Sequence, residues 1–256
     1  MSFFKDMIQK SCGGVPIEVC FSPALIGFLN IKTEAIVVVT DILRASTTMV
    51  SALADGATSI IPVALVEQAK FLKQQGFLVV AERGGAKLDF ADFGNSAFEF
   101  RDGKSKGEKI VFTTTNGTAA INEAKERGTV AIGAFSNLSV LAEWLTNQNK
   151  QVIILCSGWE NNFCLEDTVF AGALIEKLQS TGKFFINNND SAHAALDLWN
   201  IAKKDILTYI NKAQHRLRLQ KLGADDVIEF SFTPDTAKVI PVLIENELID
   251  ILKPDL

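Results

Sequence analysis

Asp41 and Arg44 stand directly after an apolar run in VVVTDILRAST (37–47), and Ser46, Thr47 and Thr48 follow at once. A carboxylate at the end of a buried strand is half out of water and needs a partner. The layout recurs. In FLVVAERGGAK a strand ends in Glu82 and Arg83, followed by Gly84 and Gly85, and KIVFTTTNGTAAI sets Thr113, Thr114, Thr115, Asn116, Gly117 and Thr118 before an alanine-rich helix. QVIILCSGWENNFCLEDTVFAGALI places Ser157 and Gly158 after a strand and Glu166 and Asp167 at the opening of a helix. Arginine forks match pairs of phosphate or sulfonate oxygens, and hydroxyls with glycine-exposed N–H groups wrap the remaining oxygens. Carboxylates belong beside an anion only when a cation offsets them. Mg2+ does so, taking one or two carboxylates, phosphate oxygens and water. The four segments together predict metal-assisted chemistry on an anionic, phosphorylated small molecule.

Each segment also has a plainer reading. TTTNGT serves equally as a turn and helix cap. Glu166 and Asp167 would complement a helix dipole, and Arg83 a surface ion pair. His193, early in a helix, and His215, in a basic run, read as structural or solvated rather than catalytic. Dinucleotide and P-loop signatures are absent, as is the GxSxG elbow. TDILRAST has the leading Asp of the haloacid dehalogenase phosphatases, but Leu43 replaces the second acid of their DxD pattern. No activated Cys or Ser–His pair is evident. The expected nucleophile is a metal-bound or carboxylate-activated water, with direct attack by Asp41 as the alternative.

Such groups need strands whose carboxyl ends lie together, with helices starting beyond them. Short β-branched runs supply the strands, at 17–21, 35–40, 59–63, 77–82, 109–114, 130–133 and 151–157. Amphipathic stretches at 46–54, 65–75 and 118–127 alternate with them, each followed by a glycine suited to the left-handed C′ position. Pro62 demotes its strand towards an edge or a bulge. After Gly182 a long helical stretch begins, capped by Asp190 or Ser191. VIEFSF and VIPVLIENELIDIL then read as an antiparallel ribbon closing the sheet. The class is α/β, a three-layer α/β/α arrangement with a mixed, mostly parallel sheet in one domain spanning 1–256. Residues 1–14 form a tail or a short docking helix.

Lys+Arg 25 against Asp+Glu 30 gives a net charge of −5, which argues against a nucleic-acid partner. No apolar run reaches the ~20 residues that span a bilayer, so no membrane partner is expected. Lys5, Asp6 and Lys10 interrupt the N-terminal apolar residues, against a secretory signal. Cys12, Cys20, Cys156 and Cys164 form no CxxC pair and read as reduced thiols of a cytoplasmic protein.

TDILRASTT, AERGGAK, DFGNSAFEF, TTTNGT and FCLEDTVFAGALI, in this order, resemble the 2-phosphosulfolactate phosphatase (ComB-like) family. The resemblance runs from about Val15 to the end of the chain and is densest between residues 35 and 178. It implies a Mg2+-dependent, homo-oligomeric (dimeric) enzyme that hydrolyses 2-phospho-3-sulfolactate to 3-sulfolactate and phosphate, a step of coenzyme M biosynthesis. The rival readings are a phosphatase of another phosphorylated hydroxy acid and a non-catalytic anion binder. Carried onto this chain, Asp41, Arg44, Arg83 and Glu166 are the expected catalytic residues, and Asp41, Glu82, Glu166 and Asp167 the metal ligands. Ser46, Asn95, Ser96, Thr114, Thr115, Asn116, Gly117, Ser157 and Gly158 are the expected substrate contacts. Where the family tends to show an HGR-like element, this chain reads AQHRLRLQKLG, which leaves the roles of Arg216 and Arg218 open.

Overall fold

A computed structural model describes residues 14–253 apart from Asn187 and Asp225. The tail expected at 1–14 thus falls almost wholly outside the described residues, as does Cys12. The alternating runs form the strands β1 (Val15–Cys20), β2 (Ile36–Thr40), β3 (Ser59–Pro62), β4 (Leu78–Arg83), β6 (Lys109–Thr113), β7 (Thr129–Ile132) and β8 (Val152–Cys156). Two short strands, β5 (Ala86–Lys87) and β9 (Phe184–Ile186), carry too few apolar residues to be read as runs. The sheet is completed by β10 (Pro241–Ile244) and β11 (Glu247–Asp250).

The helices are α1 (Ala45–Ala54), α2 (Val66–Gln74), α3 (Gly117–Ala124), α4 (Leu138–Gln148), α5 (Leu165–Gln179), α6 (Asp190–Ala202), α7 (Ile206–Ile210), α8 (Gln214–Lys221) and α9 (Ile228–Ser231). The stretch after Gly182 is therefore three helices, α6 to α8. Asn189 caps α6 by accepting from the Ala192 N–H at 2.7 Å, in place of the expected Asp190 or Ser191. VIEFSF, expected as a strand, holds the short helix α9 instead.

All eleven strands belong to one mixed sheet in the order β5-β4-β6-β3-β11-β10-β7-β2-β8-β1-β9. This is the α/β class expected, with helices flanking a mostly parallel sheet. One parallel block holds β4, β6 and β3, and another holds β7, β2, β8, β1 and β9. The β10–β11 hairpin joins them through antiparallel pairings, Leu248 with Ile60 and Val242 with Ala131. It does not close an edge; it bridges the middle. β3 is likewise interior, and Pro62 is tolerated because it is the strand's last residue, beyond the Leu248–Ile60 pairing. Gly56 and Gly76 adopt the positive φ expected after α1 and α2. Gly128 does not; a Cβ there would lie 2.3 Å from the Ala35 carbonyl oxygen, so close backbone approach demands the glycine.

Following the pairings from β3 to β7, the two parallel blocks run in opposite senses. Their polar carboxyl-end segments therefore do not share one edge of a single parallel sheet, as expected from sequence. They meet because the helices cross over. α1 follows β2 yet packs against β3 and β10 as well as β2 and β7, while α3 follows β6 but packs on β2, β7 and β8. The two helix starts abut: a Cβ on Gly117 would lie 2.6 Å from the Ala45 Cβ. The core beneath is continuous, with Ile36 to Val39, Ile132 and Ile153 to Leu155 at most 1% exposed.

Candidate active site

The site is assembled where α1, α3 and α5 begin. Asp41, the first residue past β2, accepts a hydrogen bond from the Ala45 N–H at 3.3 Å, and its own N–H donates to Ser46 Oγ at 2.8 Å. Ser46 is thus spent on the turn. The second oxygen of Asp41 faces α3, 3.0 Å from where a Gly117 Cβ would sit, so any side chain at 117 would crowd both Asp41 and Ala45.

Glu82 ends β4. Its Oε1 accepts from the Thr115 hydroxyl at 3.0 Å and from the Gly85 N–H. Thr115 also accepts from the Gly84 N–H at 3.0 Å, so this hydroxyl ties the β4 end to the β6 end. Thr114 caps α3 in a reciprocal pair with Thr118: each backbone N–H donates to the other's hydroxyl, at 3.2 and 3.3 Å. The plainer, capping reading of TTTNGT describes Thr114; Asn116 instead lines the pocket and accepts from the Glu160 N–H at 3.2 Å.

Glu166 and Asp167 open α5, but their surroundings exceed a dipole role. Asp167 accepts from the Ile42 N–H at 2.9 Å and from the Gly158 N–H at 3.1 Å, one per oxygen, stitching the segments after β2 and β8 together. Gly158 has φ +64° and would carry its Cβ 2.3 Å from the Asn162 carbonyl oxygen, so this turn excludes other residues. Glu166 Oε1 is buried with no hydrogen-bond partner among the described residues, and lies 3.3 Å from His215 Nδ1. Ser157 Oγ and Asn95 Oδ1 are also buried and unpartnered there. Ser96 caps the 3-10 turn Ala97–Phe100.

Two neighbouring spaces result, sharing Trp159 and His215 in their linings. An inner pit of ≈ 10 Å³ is lined by Asp41, Leu43, Arg44, Glu82, Gly85, Asn95, Asn116, Trp159 and His215. That is room for about one water or ion. An outer cleft of ≈ 450 Å³, a size suited to a small ligand, shares Trp159 and His215 with the pit and adds Cys164, Glu166, Arg218 and Lys221. Arg44 donates to the Gly85 carbonyl at 2.8 Å while lining the pit. Arg83 points elsewhere, donating to the Glu82 and Ala64 carbonyls and to Thr113 Oγ1. Its guanidinium holds the strand ends instead of lining either space.

His215, read from the sequence as structural or solvated, and Arg218, whose role the sequence left open, are central here. His215 lies on the wall between the two spaces, its ring 5.0 Å from that of Trp159. Arg218 stacks on Trp159 at 3.7 Å and donates to the Gly84 carbonyl at 2.9 Å. The signal for them was thin: a basic, poorly apolar helix far along the chain, and an aromatic between Gly158 and Glu160 in the turn after β8.

Electrostatics select what this pit can hold. Asp41, Glu82, Glu166 and Asp167 are 7%, 5%, 1% and 3% exposed. Burial pushes Asp41 up to about 6, aided by the Glu82 and Glu166 charges and opposed by His215 and the Ala45 N–H. Burial, then Glu166 and Asp41, push Asp167 well above the usual carboxylate range. Burial pulls Arg44 downward against the Glu82 and Asp41 charges. Of the four expected ligands, only Asp41 and Glu82 line the pit; Glu166 lines the outer cleft and Asp167 neither space, and among the described residues no three of these carboxylates converge within 4.8 Å. The pair Asp41 and Glu82, with the unpartnered Glu166 oxygen in the adjoining cleft, offers hard oxygen donors of the kind Mg2+ takes. Asp41 and Glu166 keep the most free lone pairs; the oxygens of Asp167 are both engaged by backbone amides.

A model of the 2-phosphosulpholactate phosphatase family matches residues 20–246. A probable 2-phosphosulfolactate phosphatase of Caldanaerobacter subterraneus subsp. tengcongensis is 35% identical over 214 residues, covering 82% of this chain and 88% of the relative. The chain belongs to the 2-phosphosulfolactate phosphatase family. A probable 2-phosphosulfolactate phosphatase of Thermotoga maritima is 35% identical over 212 residues (83% of this chain, 90% of the relative). Another, of Prochlorococcus marinus, is 36% identical over 224 residues (85% and 91%). Membership makes the chain a phosphoric monoester hydrolase, and the matched span contains every residue of the pit and the cleft. Among the described residues, no helix is long and apolar enough to cross a membrane.

The raised Asp41 value has a signed consequence. Burial holds the folded carboxyl at about 6, above its ordinary value of 3.8. Its contribution to the stability of the metal-free protein is therefore fully present below about pH 4 and lost as pH rises through about 6. A divalent ion needs the ionised form. The rise in melting temperature on adding Mg2+ is expected to be large at pH 8 and to fade below pH 6, as read by thermal shift in Mg2+ against EDTA.

Proposed function

We propose that this chain is a Mg2+-dependent phosphatase that hydrolyses 2-phospho-3-sulfolactate to 3-sulfolactate and phosphate, the coenzyme M biosynthetic step. The observation that supports the metal dependence is the pair of buried carboxylates, Asp41 and Glu82, lining the pit with Glu166 buried in the adjoining cleft, which an anionic substrate could not approach without a cation. Asp41 and Glu166 would hold the ion, with Glu82 and Asp167 beside them. When bound, Mg2+ supplies positive charge to the phosphoryl oxygens.

The chain's own groups do the remaining work. Arg44 and the Asn116 and Asn95 side chains line the pit and orient phosphoryl oxygens. The N-terminus of α3 adds backbone N–H groups. Asp41 orients a water molecule, which adds to phosphorus as the P–O bond to the hydroxy acid breaks; the water gives up one proton to solvent and the departing oxygen takes one from solvent, leaving as the hydroxyl of 3-sulfolactate. Arg218 and Lys221 stand in the outer cleft, where the carboxylate and sulfonate of the substrate would extend. Replacing Arg218 with Ala is expected to raise KM about tenfold, the worth of one charged hydrogen bond, with a smaller effect on kcat.

The direct test measures phosphate release from a panel of phosphorylated hydroxy acids, with Mg2+ and with EDTA. Turnover of 2-phospho-3-sulfolactate above carboxylate-only analogues supports the reading. Equal turnover of the analogues indicates another phosphorylated hydroxy acid, and ligand binding without turnover at millimolar Mg2+ indicates an anion binder. The protein works as a cytoplasmic homodimer in this proposal. Support comes from the free thiols Cys20, Cys156 and Cys164 and from Leu65 and Phe71, 58% and 60% exposed at α2. Sedimentation equilibrium checks the assembly.

A further inference from the structure

Cys164, Glu166 and His215 offer a sulfur, an oxygen and a nitrogen that all lie within 4.8 Å of one another. Cys164 is fixed by its place: it is the residue before α5, and its carbonyl accepts from the Thr168 hydroxyl at 2.8 Å. Glu166 Oε1 is buried without a hydrogen-bond partner among the described residues. His215 reaches the trio from α8, on the other wall of the outer cleft. All three side chains line that cleft, so an ion among them would keep a face open to solvent.

We propose that Cys164, Glu166 and His215 bind a thiophilic divalent ion, Zn2+ or a transition metal of similar preference. Zinc bonds of ~2.0–2.3 Å to sulfur, nitrogen and oxygen place tetrahedral ligands roughly 3.3–3.8 Å apart. Glu166 Oε1 and His215 Nδ1 have that spacing at 3.3 Å, and the Cys164 sulfur lies within 4.8 Å of both. Three protein ligands with one open position is also the pattern of zinc sites that remain accessible. A thiolate with an imidazole favours Zn2+ and its neighbours, whereas Mg2+ prefers oxygen donors alone. Binding replaces the Cys164 thiol proton, which leaves to solvent as the S–metal bond forms. The trio shares Glu166 with the Asp41 carboxylate group, so a thiophilic ion and Mg2+ compete for that oxygen. The inference concerns ligand chemistry and does not depend on phosphatase turnover.

Co2+ is the probe. Titrated into the full chain, it is expected to give a near-ultraviolet thiolate-to-cobalt charge-transfer band saturating at one equivalent, displaced by Zn2+ but not by millimolar Mg2+. Cys164→Ser and Cys164→Ala should lose the band, with native circular dichroism as the control. His215→Ala, on a separate element, should weaken Co2+ binding at least tenfold. No band in the wild-type protein overturns the proposal. So does an unchanged band in the Cys164 variants, which would assign the thiolate to another cysteine, or unchanged Co2+ affinity in His215→Ala. The histidine variant keeps the test decisive if the Cys164 variants fail to fold.

Discussion

Asp41→Asn is expected to lower kcat by roughly three orders of magnitude or more, the scale of losing a metal ligand and its charge stabilisation together. The same change should not weaken the metal-free fold. An asparagine oxygen still accepts from Ala45 N–H, and the cost of burying a charge beside Glu82 and Glu166 disappears. In EDTA at pH 8 the variant should therefore melt at or above the wild-type temperature. The difference should vanish by pH 5, where wild-type Asp41 is itself protonated. Mg2+ should no longer raise its melting temperature. Thermal melts at the two pH values and phosphate-release assays read all of this. A variant equally destabilised at both pH values would show that Asp41 acts as a structural cap, and retained turnover would remove it from the chemistry.

Asp167→Ala is expected to destabilise the protein by about 3 kcal/mol, because the Ile42 and Gly158 N–H groups would both be left buried and unpaired. Neutralising a carboxylate that burial and its neighbours already disfavour returns part of that loss, so the hydrogen bonds decide the sign. Asp167→Asn should fall between, since one amide oxygen can accept while its NH2 faces the other donor. Urea unfolding should show a lower midpoint with an unchanged slope. Activity should fall even where the fold persists, as Ile42 precedes the Arg44 loop and Gly158 precedes Trp159. Equal stability of the alanine variant would mean that the two amides find other acceptors.

Much of the architecture was legible because it is written locally. Seven alternating apolar runs became strands within one or two residues of their expected bounds, and three glycine-ended amphipathic stretches became α1, α2 and α3. Asp41, Glu82, Glu166 and Asp167 could be singled out from the same local logic: charge placed at the end of an apolar run has few destinations other than a site. Among the uncharged polar side chains, sequence could not separate contacts with open space from caps. Ser46 and Thr114 satisfy backbone turns, whereas Asn95 and Ser157 keep unpartnered buried oxygens.

What the chain alone determined is the set of strands and helices and the acidic character of their junctions, since φ/ψ preference and apolar period depend on neighbours a few residues away. Tertiary structure decided which junctions meet. The β10–β11 hairpin lies between two oppositely directed blocks, Pro62 is harmless inside the sheet, and α8 brings His215 and Arg218 to a pit begun by Asp41. Those outcomes depend on pairing and packing between segments distant along the chain, whose energies appear only when both partners are in place.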